Sequence, residues 1–190
     1  QRAIANYLNE KFEESIADLL GPDGPLGLGF RAAAAGPLDA FSPPAAFSTP
    51  VGRLVRCDLC PHRCVLAEDD RGFCRARVVK GGRLHTVAYG NLCSVAVDPV
   101  EKTPLSHYLP RAPILSVAMG GCNLRCLNCQ NWEISQARPG DVQRAGLTPE
   151  ALVALARQRS IPALAFTYSE PLVSYDPDGK ELWRVKGMSM

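Results

Sequence analysis

Eight cysteines stand at positions 57, 60, 64, 74, 93, 122, 126 and 129, and all but Cys93 fall into two tight groups. Gaps of two or three residues let several thiols converge on one metal or cluster, whereas disulfide frameworks spread their partners along the chain. The set therefore reads as reduced, with a cytoplasmic setting expected.

The second group is Cys122-Asn-Leu-Arg-Cys126-Leu-Asn-Cys129. It follows Ile114-Leu-Ser-Val-Ala-Met119, an apolar run of the kind that fills a strand buried on both faces. Gly120 and Gly121 then free the backbone for a loop. Further on, Thr148 is a good N-cap, Pro149 suits the first helical position and Glu150 the first turn. Leu152, Val153, Leu155 and Ala156 give that helix an apolar face, Ser160-Ile161-Pro162 stops it, and residues 163–167 read as the next strand. Strand, loop, helix, strand is a β-α-β unit, so a parallel sheet is expected. Three thiolates on the first loop can hold three irons of a cubane cluster and leave the fourth iron open. An open coordination position marks a reactive metal site rather than a structural one, and loops at the carboxyl ends of strands form the reactive face of α/β barrels.

These residues resemble the radical S-adenosylmethionine superfamily, which carries C-x3-C-x2-C after its first barrel strand. The longer string Gly121-Cys-Asn-Leu-Arg-Cys-Leu-Asn-Cys-Gln-Asn-Trp-Glu-Ile-Ser-Gln136 looks like the pyruvate formate-lyase-activating-like branch. Within it, the pattern is most similar to the AmmeMemoRadiSam system radical enzymes. Cys57-Asp-Leu-Cys60-Pro-His-Arg-Cys64, Gly72-Phe-Cys74, Asp98-Pro-Val-Glu-Lys-Thr-Pro-Leu105 and Phe166-Thr-Tyr-Ser-Glu170-Pro171 extend the resemblance over roughly 53–173. It implies a [4Fe-4S] cluster on Cys122, Cys126 and Cys129, whose open iron would chelate the amino and carboxylate groups of S-adenosylmethionine. Reductive cleavage would give methionine and a 5′-deoxyadenosyl radical, an oxidoreductase chemistry supplied by the cofactors and oriented by the protein. Ser169 and Glu170, at the end of the second strand, are implied contacts of the methionyl amine, with Thr167 and Tyr168 behind them. A ferredoxin- or flavodoxin-type reductant and a Memo-like protein are the implied partners. The chain departs from many members in having Asn128, not an aromatic, before the third cysteine; Trp132 is a candidate shield for the cluster instead.

Cys57, Cys60, Cys64 and Cys74 can enclose a zinc ion or ligate a second iron–sulfur cluster, since both accept four sulfurs. A closed structural site, with zinc favoured, is the reading adopted. His62 inside the group reads as a solvent-facing loop residue, Cys93 as a small core residue, and His85 and His107 as structural.

The fold class expected is α/β: the truncated start of a radical S-adenosylmethionine partial (β/α) barrel, preceded by a small cysteine-rich region and an amino-terminal helix. Residues 1–20 carry Ile4, Leu8, Phe12, Ile16 and Leu19 at helical spacing. Residues 21–52 are rich in Pro, Gly and Ala and read as a linker. Residues 53–110 form the cysteine-rich region, with a hairpin over 75–79 and 83–89 about Gly81-Gly82 and then an extended, proline-broken connector from Val95 to Pro104. Residues 111–190 are too few for a barrel. A charge balance of 21 Lys+Arg against 19 Asp+Glu argues against a nucleic-acid backbone binder. No apolar run reaches the ~18 residues of a membrane span. A non-catalytic zinc-binding interaction module is the rival reading.

Overall fold

The computed structural model describes residues 44–103, 105–142 and 145–174. The expected helix over 1–20, most of the linker and the segment after 174 lie outside them. The architecture is mixed α/β, mostly sheet with few helices.

A small three-stranded antiparallel sheet comes first, built from β1 (Ser48–Val51), β2 (Leu54–Cys57) and β3 (Val65–Leu66) in that order. β1 corrects the linker boundary: residues expected to be irregular up to 52 pair along β2, from Ser48 opposite Cys57 to Val51 opposite Leu54. Pro50 is tolerated because β1 is an edge strand, where one row of N–H groups has no ladder to join. A hairpin follows, β4 (Arg77–Lys80) against β5 (Arg83–Thr86), turning at Gly81 and Gly82 with φ of +58° and +68°. Two left-handed residues are what a tight two-residue hairpin turn requires. The Glu68 carboxylate accepts from both turn amides, at 2.7 and 3.0 Å.

The main sheet has the order β8-β6-β7-β9, with β6 (Asn91–Pro99), β7 (Pro113–Met119), β8 (Ala145–Gly146) and β9 (Ala163–Phe166). β7 and β9 run parallel, as the β-α-β pattern predicts, but β6 lies antiparallel on the other side of β7. The sheet is therefore mixed, and among the described residues no sheet closes into a barrel. β6 also replaces most of the expected connector. Its inward positions Leu92, Cys93 and Val95 are buried, and Pro99 sits at the strand's last position opposite Pro113. A proline there ends the ladder without interrupting it.

α2 (Pro149–Gln158) packs Leu152, Leu155 and Ala156 into one core with Leu115, Val117 and Met119 of β7. Its N-cap Thr148 accepts from Ala151 N at 3.3 Å, and Val153 is only half-buried. α1 (Trp132–Ser135) is a single turn after the second cysteine group. Among the described residues no helix is long and apolar enough to cross a membrane.

Candidate metal centres

Because β7 and β9 are parallel neighbours, their carboxyl ends emerge side by side. β7 delivers the loop that begins Gly120-Gly121-Cys122, and β9 delivers Thr167, Tyr168, Ser169 and Glu170. The Ser169 hydroxyl ties the two ends by donating to the Met119 carbonyl at 3.1 Å. Cys122, Cys126, Cys129, Ser169 and Glu170 consequently line one cavity of about 290 Å³, together with Ser135, Gln136 and Tyr168. Cys122 is buried, Cys129 half-buried and Cys126 exposed. The amide of Leu124 donates to Cys122 Sγ at 3.4 Å, and Cys129 Sγ lies 3.4 Å from the Ser135 hydroxyl. Thr167 continues the β ladder through its amide to the Val117 carbonyl, and Trp132, half exposed, stands outside the cavity lining.

Tyr168 has φ +66°, a left-handed backbone that a bulky residue adopts only under constraint. Its phenol donates to Asp98 at the end of β6, and Lys102 Nζ reaches the other Asp98 oxygen at 2.7 Å. Burial acts to raise the Asp98 carboxyl, but the hydrogen bonds from Lys102 and Tyr168 outweigh it and hold the group below the usual carboxylate range. Burial, then the Asp98 charge, pushes the Tyr168 phenol up.

Cys57, Cys60, Cys64 and Cys74 line a second, separate cavity of only about 20 Å³, walled by Leu59, Leu172, Val173 and Asn123. Cys57 closes β2, Cys64 precedes β3, and Cys74 precedes β4. The Cys57 amide donates to the Cys64 carbonyl at 2.8 Å, which folds the intervening turn. Burial raises the Cys57 and Cys74 thiols, opposed by Arg77 and by a backbone amide at each sulfur. Arg77 is 2% exposed and donates to the Val173 carbonyl at 3.0 Å and the Thr86 hydroxyl at 2.9 Å. Among the described residues, no three His, Cys, Asp or Glu side chains are drawn together as a metal-ion group in either place.

The two cysteine loops are docked on each other. His62 stacks on Phe73 with ring centroids 4.0 Å apart and forms a 2.8 Å hydrogen bond to the Asn123 carbonyl. The residue is exposed, as expected of a loop histidine, yet it bridges the groups. Arg125 lies over the same Phe73 ring at 4.1 Å and donates to the carbonyls of Phe73, Cys122 and Leu124 at 2.7–2.9 Å. Arg75 donates to the Gln136 carbonyl from the other direction. Sequence reading missed this network, because contacts between residues some fifty positions apart leave no local pattern. All eight cysteines are free thiols. Cys93 is buried, as expected, and burial pushes its thiol up to about 12.

No protein-family model matches this chain, and no solved structure matches it. The uncharacterized protein MJ0808 of Methanocaldococcus jannaschii is 47% identical over 122 residues, covering 64% of this chain and 37% of that protein. The uncharacterized protein MJ0674 of the same organism is 35% identical over 81 residues, covering 42% of this chain and 19% of that protein. The chain thus spans less than two fifths of the length of these curated relatives.

Proposed function

We propose that this chain carries the cluster-binding segment of a radical S-adenosylmethionine enzyme, with Cys122, Cys126 and Cys129 as ligands of a [4Fe-4S] cluster. The observation that carries the reading is the composition of one cavity wall. Three soft sulfur donors share it with no fourth cysteine, which fits a cubane with one iron left for an exchangeable ligand. The same wall presents Ser169 and Glu170, polar groups suited to an ammonium. When bound, the cluster and S-adenosylmethionine supply reductive cleavage of the sulfonium to methionine and a 5′-deoxyadenosyl radical.

The chain's own residues have four tasks in this reading. Cys122, Cys126 and Cys129 would hold three irons of the cluster through their sulfurs. The Leu124 amide donates to Cys122 Sγ and helps fix where that sulfur sits. Glu170 and Ser169 orient the methionyl amine, and Ser169 is itself held by the Met119 carbonyl. Tyr168, braced by Asp98 and Lys102, sets the course of the backbone that presents both.

Anaerobic reconstitution with iron and sulfide tests the reading. About four irons and four sulfides per chain are expected, lost together in the Cys122→Ala, Cys126→Ala, Cys129→Ala triple variant. Cluster content unchanged in that variant, or zinc with no sulfide in the wild type, rejects it in favour of a zinc-binding module. Substrate, electron donor and any Memo-like partner belong to the longer protein and follow only if this test succeeds.

A further inference from the structure

Cys57, Cys60, Cys64 and Cys74 come from two pieces of chain, the β2–β3 connection and the loop before β4, and line one cavity. The Phe73 amide donates to Cys64 Sγ at 3.4 Å. A neutral thiol is a weak acceptor, whereas a thiolate gains from every N–H aimed at it. The Phe73 amide aimed at Cys64 is therefore a contact that a metal-bound sulfur there would keep. Arg77, 2% exposed, lines the same cavity and adds a buried positive charge beside the four sulfurs. Four thiolates about a divalent ion carry two negative charges, which that guanidinium partly offsets.

Cavity size then separates the two metals that four sulfurs accept. About 20 Å³ has room for one sphere of water size, not for the eight atoms of a cubane. The apolar walls from Leu59, Leu172 and Val173 exclude a further water ligand.

We propose that Cys57, Cys60, Cys64 and Cys74 bind one zinc-type divalent ion in a closed tetrathiolate site, and that this site braces the loop carrying Cys122, Cys126 and Cys129. Metal entry replaces the thiol protons, which leave to solvent. The brace runs through His62, which lies between two of these ligands and bonds to the Asn123 carbonyl. It also runs through Phe73, next to Cys74, whose ring and carbonyl hold Arg125. The bracing half rests on the cluster reading above; the zinc half does not.

The test uses the whole chain, purified without oxygen. About one zinc per chain is expected, with four sulfur neighbours at ~2.3 Å by X-ray absorption at the zinc edge. The Cys122, Cys126, Cys129 triple alanine variant should keep that zinc, while Cys60→Ser and Cys64→Ser should lose it. Fewer than four sulfurs around the zinc, no zinc at all, or iron and sulfide persisting in the triple variant overturns the closed site. The wild-type spectrum decides this even if the serine variants fail to fold. For the brace, stripping zinc from the wild type with a chelator should speed amide exchange across 122–129 and lower subsequent iron uptake. Unchanged exchange and uptake overturn it. Zinc bound as described with no cluster formed leaves the closed site standing and rejects the catalytic reading alone.

Discussion

Cys57, Cys60, Cys64 and Cys74 look into about 20 Å³ walled by leucine and valine, whereas Cys122, Cys126 and Cys129 share about 290 Å³ with a serine, a glutamate and a tyrosine. The ligand atom is sulfur in both. What differs is the scaffold. The first set hangs on short antiparallel strands whose turns fold back over it. The second hangs beyond the side-by-side carboxyl ends of two parallel strands, where the cavity is larger. Enclosure follows from topology, and enclosure decides whether a metal site has room to react. The two regions nevertheless share a surface, and the predictions below ask how far each depends on the other.

The largest effect is expected at Gly121, the hinge between them. Its φ is +96°, and a Cβ there would collide with the carbonyl oxygen of Cys74. Gly121→Ala must push the two cysteine loops apart, with a cost of roughly 2–4 kcal/mol in denaturant unfolding. Gly82→Ala is the control: φ is +68° but nothing lies within 4 Å of the added carbon. Backbone strain alone is about 1–2 kcal/mol there. Equal losses for the two variants would mean that the loops do not touch in solution.

A smaller loss is expected from Arg125→Ala, which removes a cation–ring contact and three hydrogen bonds to carbonyls on both loops. The side chain is partly solvated, so about 1–2 kcal/mol is the scale. The sharper readout is local. Amide exchange at Leu124 and Cys126 should rise, while the zinc proposed for the first group stays. Zinc loss in this variant would show that the coupling runs in both directions.

What could be read beforehand divides along similar lines. The strand at 114–119, the Thr148-Pro149-Glu150 helix start and the Gly81-Gly82 turn were legible because each is a local pattern with one physical solution. Ser169 and Glu170 came from the family resemblance rather than from a local pattern; the parallel pairing of β7 and β9 puts them on one cavity wall with the second cysteine group. β1 and β6 were not legible. Pro50, Pro99 and Pro104 argued for irregular chain, but proline is excluded only where a ladder needs its N–H, and edge status or a terminal position is decided by partners far away. The Arg77, His62 and Arg125 bridges were hidden for the same reason. Each is a single polar residue whose partner stands 52–96 positions distant.

The smallest effect is expected where the open cavity meets β6. Tyr168→Phe removes a hydrogen bond to a carboxylate that is 11% exposed and keeps its Lys102 partner, a loss of about 0.5–1 kcal/mol at neutral pH. The Asp98 carboxyl is held below its ordinary value in the folded chain. Its contribution is therefore complete above about pH 4, where the unfolded group is also ionised, and drains away as pH falls through the folded value. Lys102 is shifted up, first by its bond to Asp98. Its share persists through neutral pH and is lost only as pH rises past the ordinary lysine range, ~10.4. The gap in unfolding free energy between wild type and Asp98→Asn should thus be flat across neutral pH and shrink in acid. A gap that widened below pH 4 would mean Asp98 is not the charged acceptor described. The same variant should leave the zinc of the first group untouched, because neither Asp98 nor Tyr168 lines that cavity.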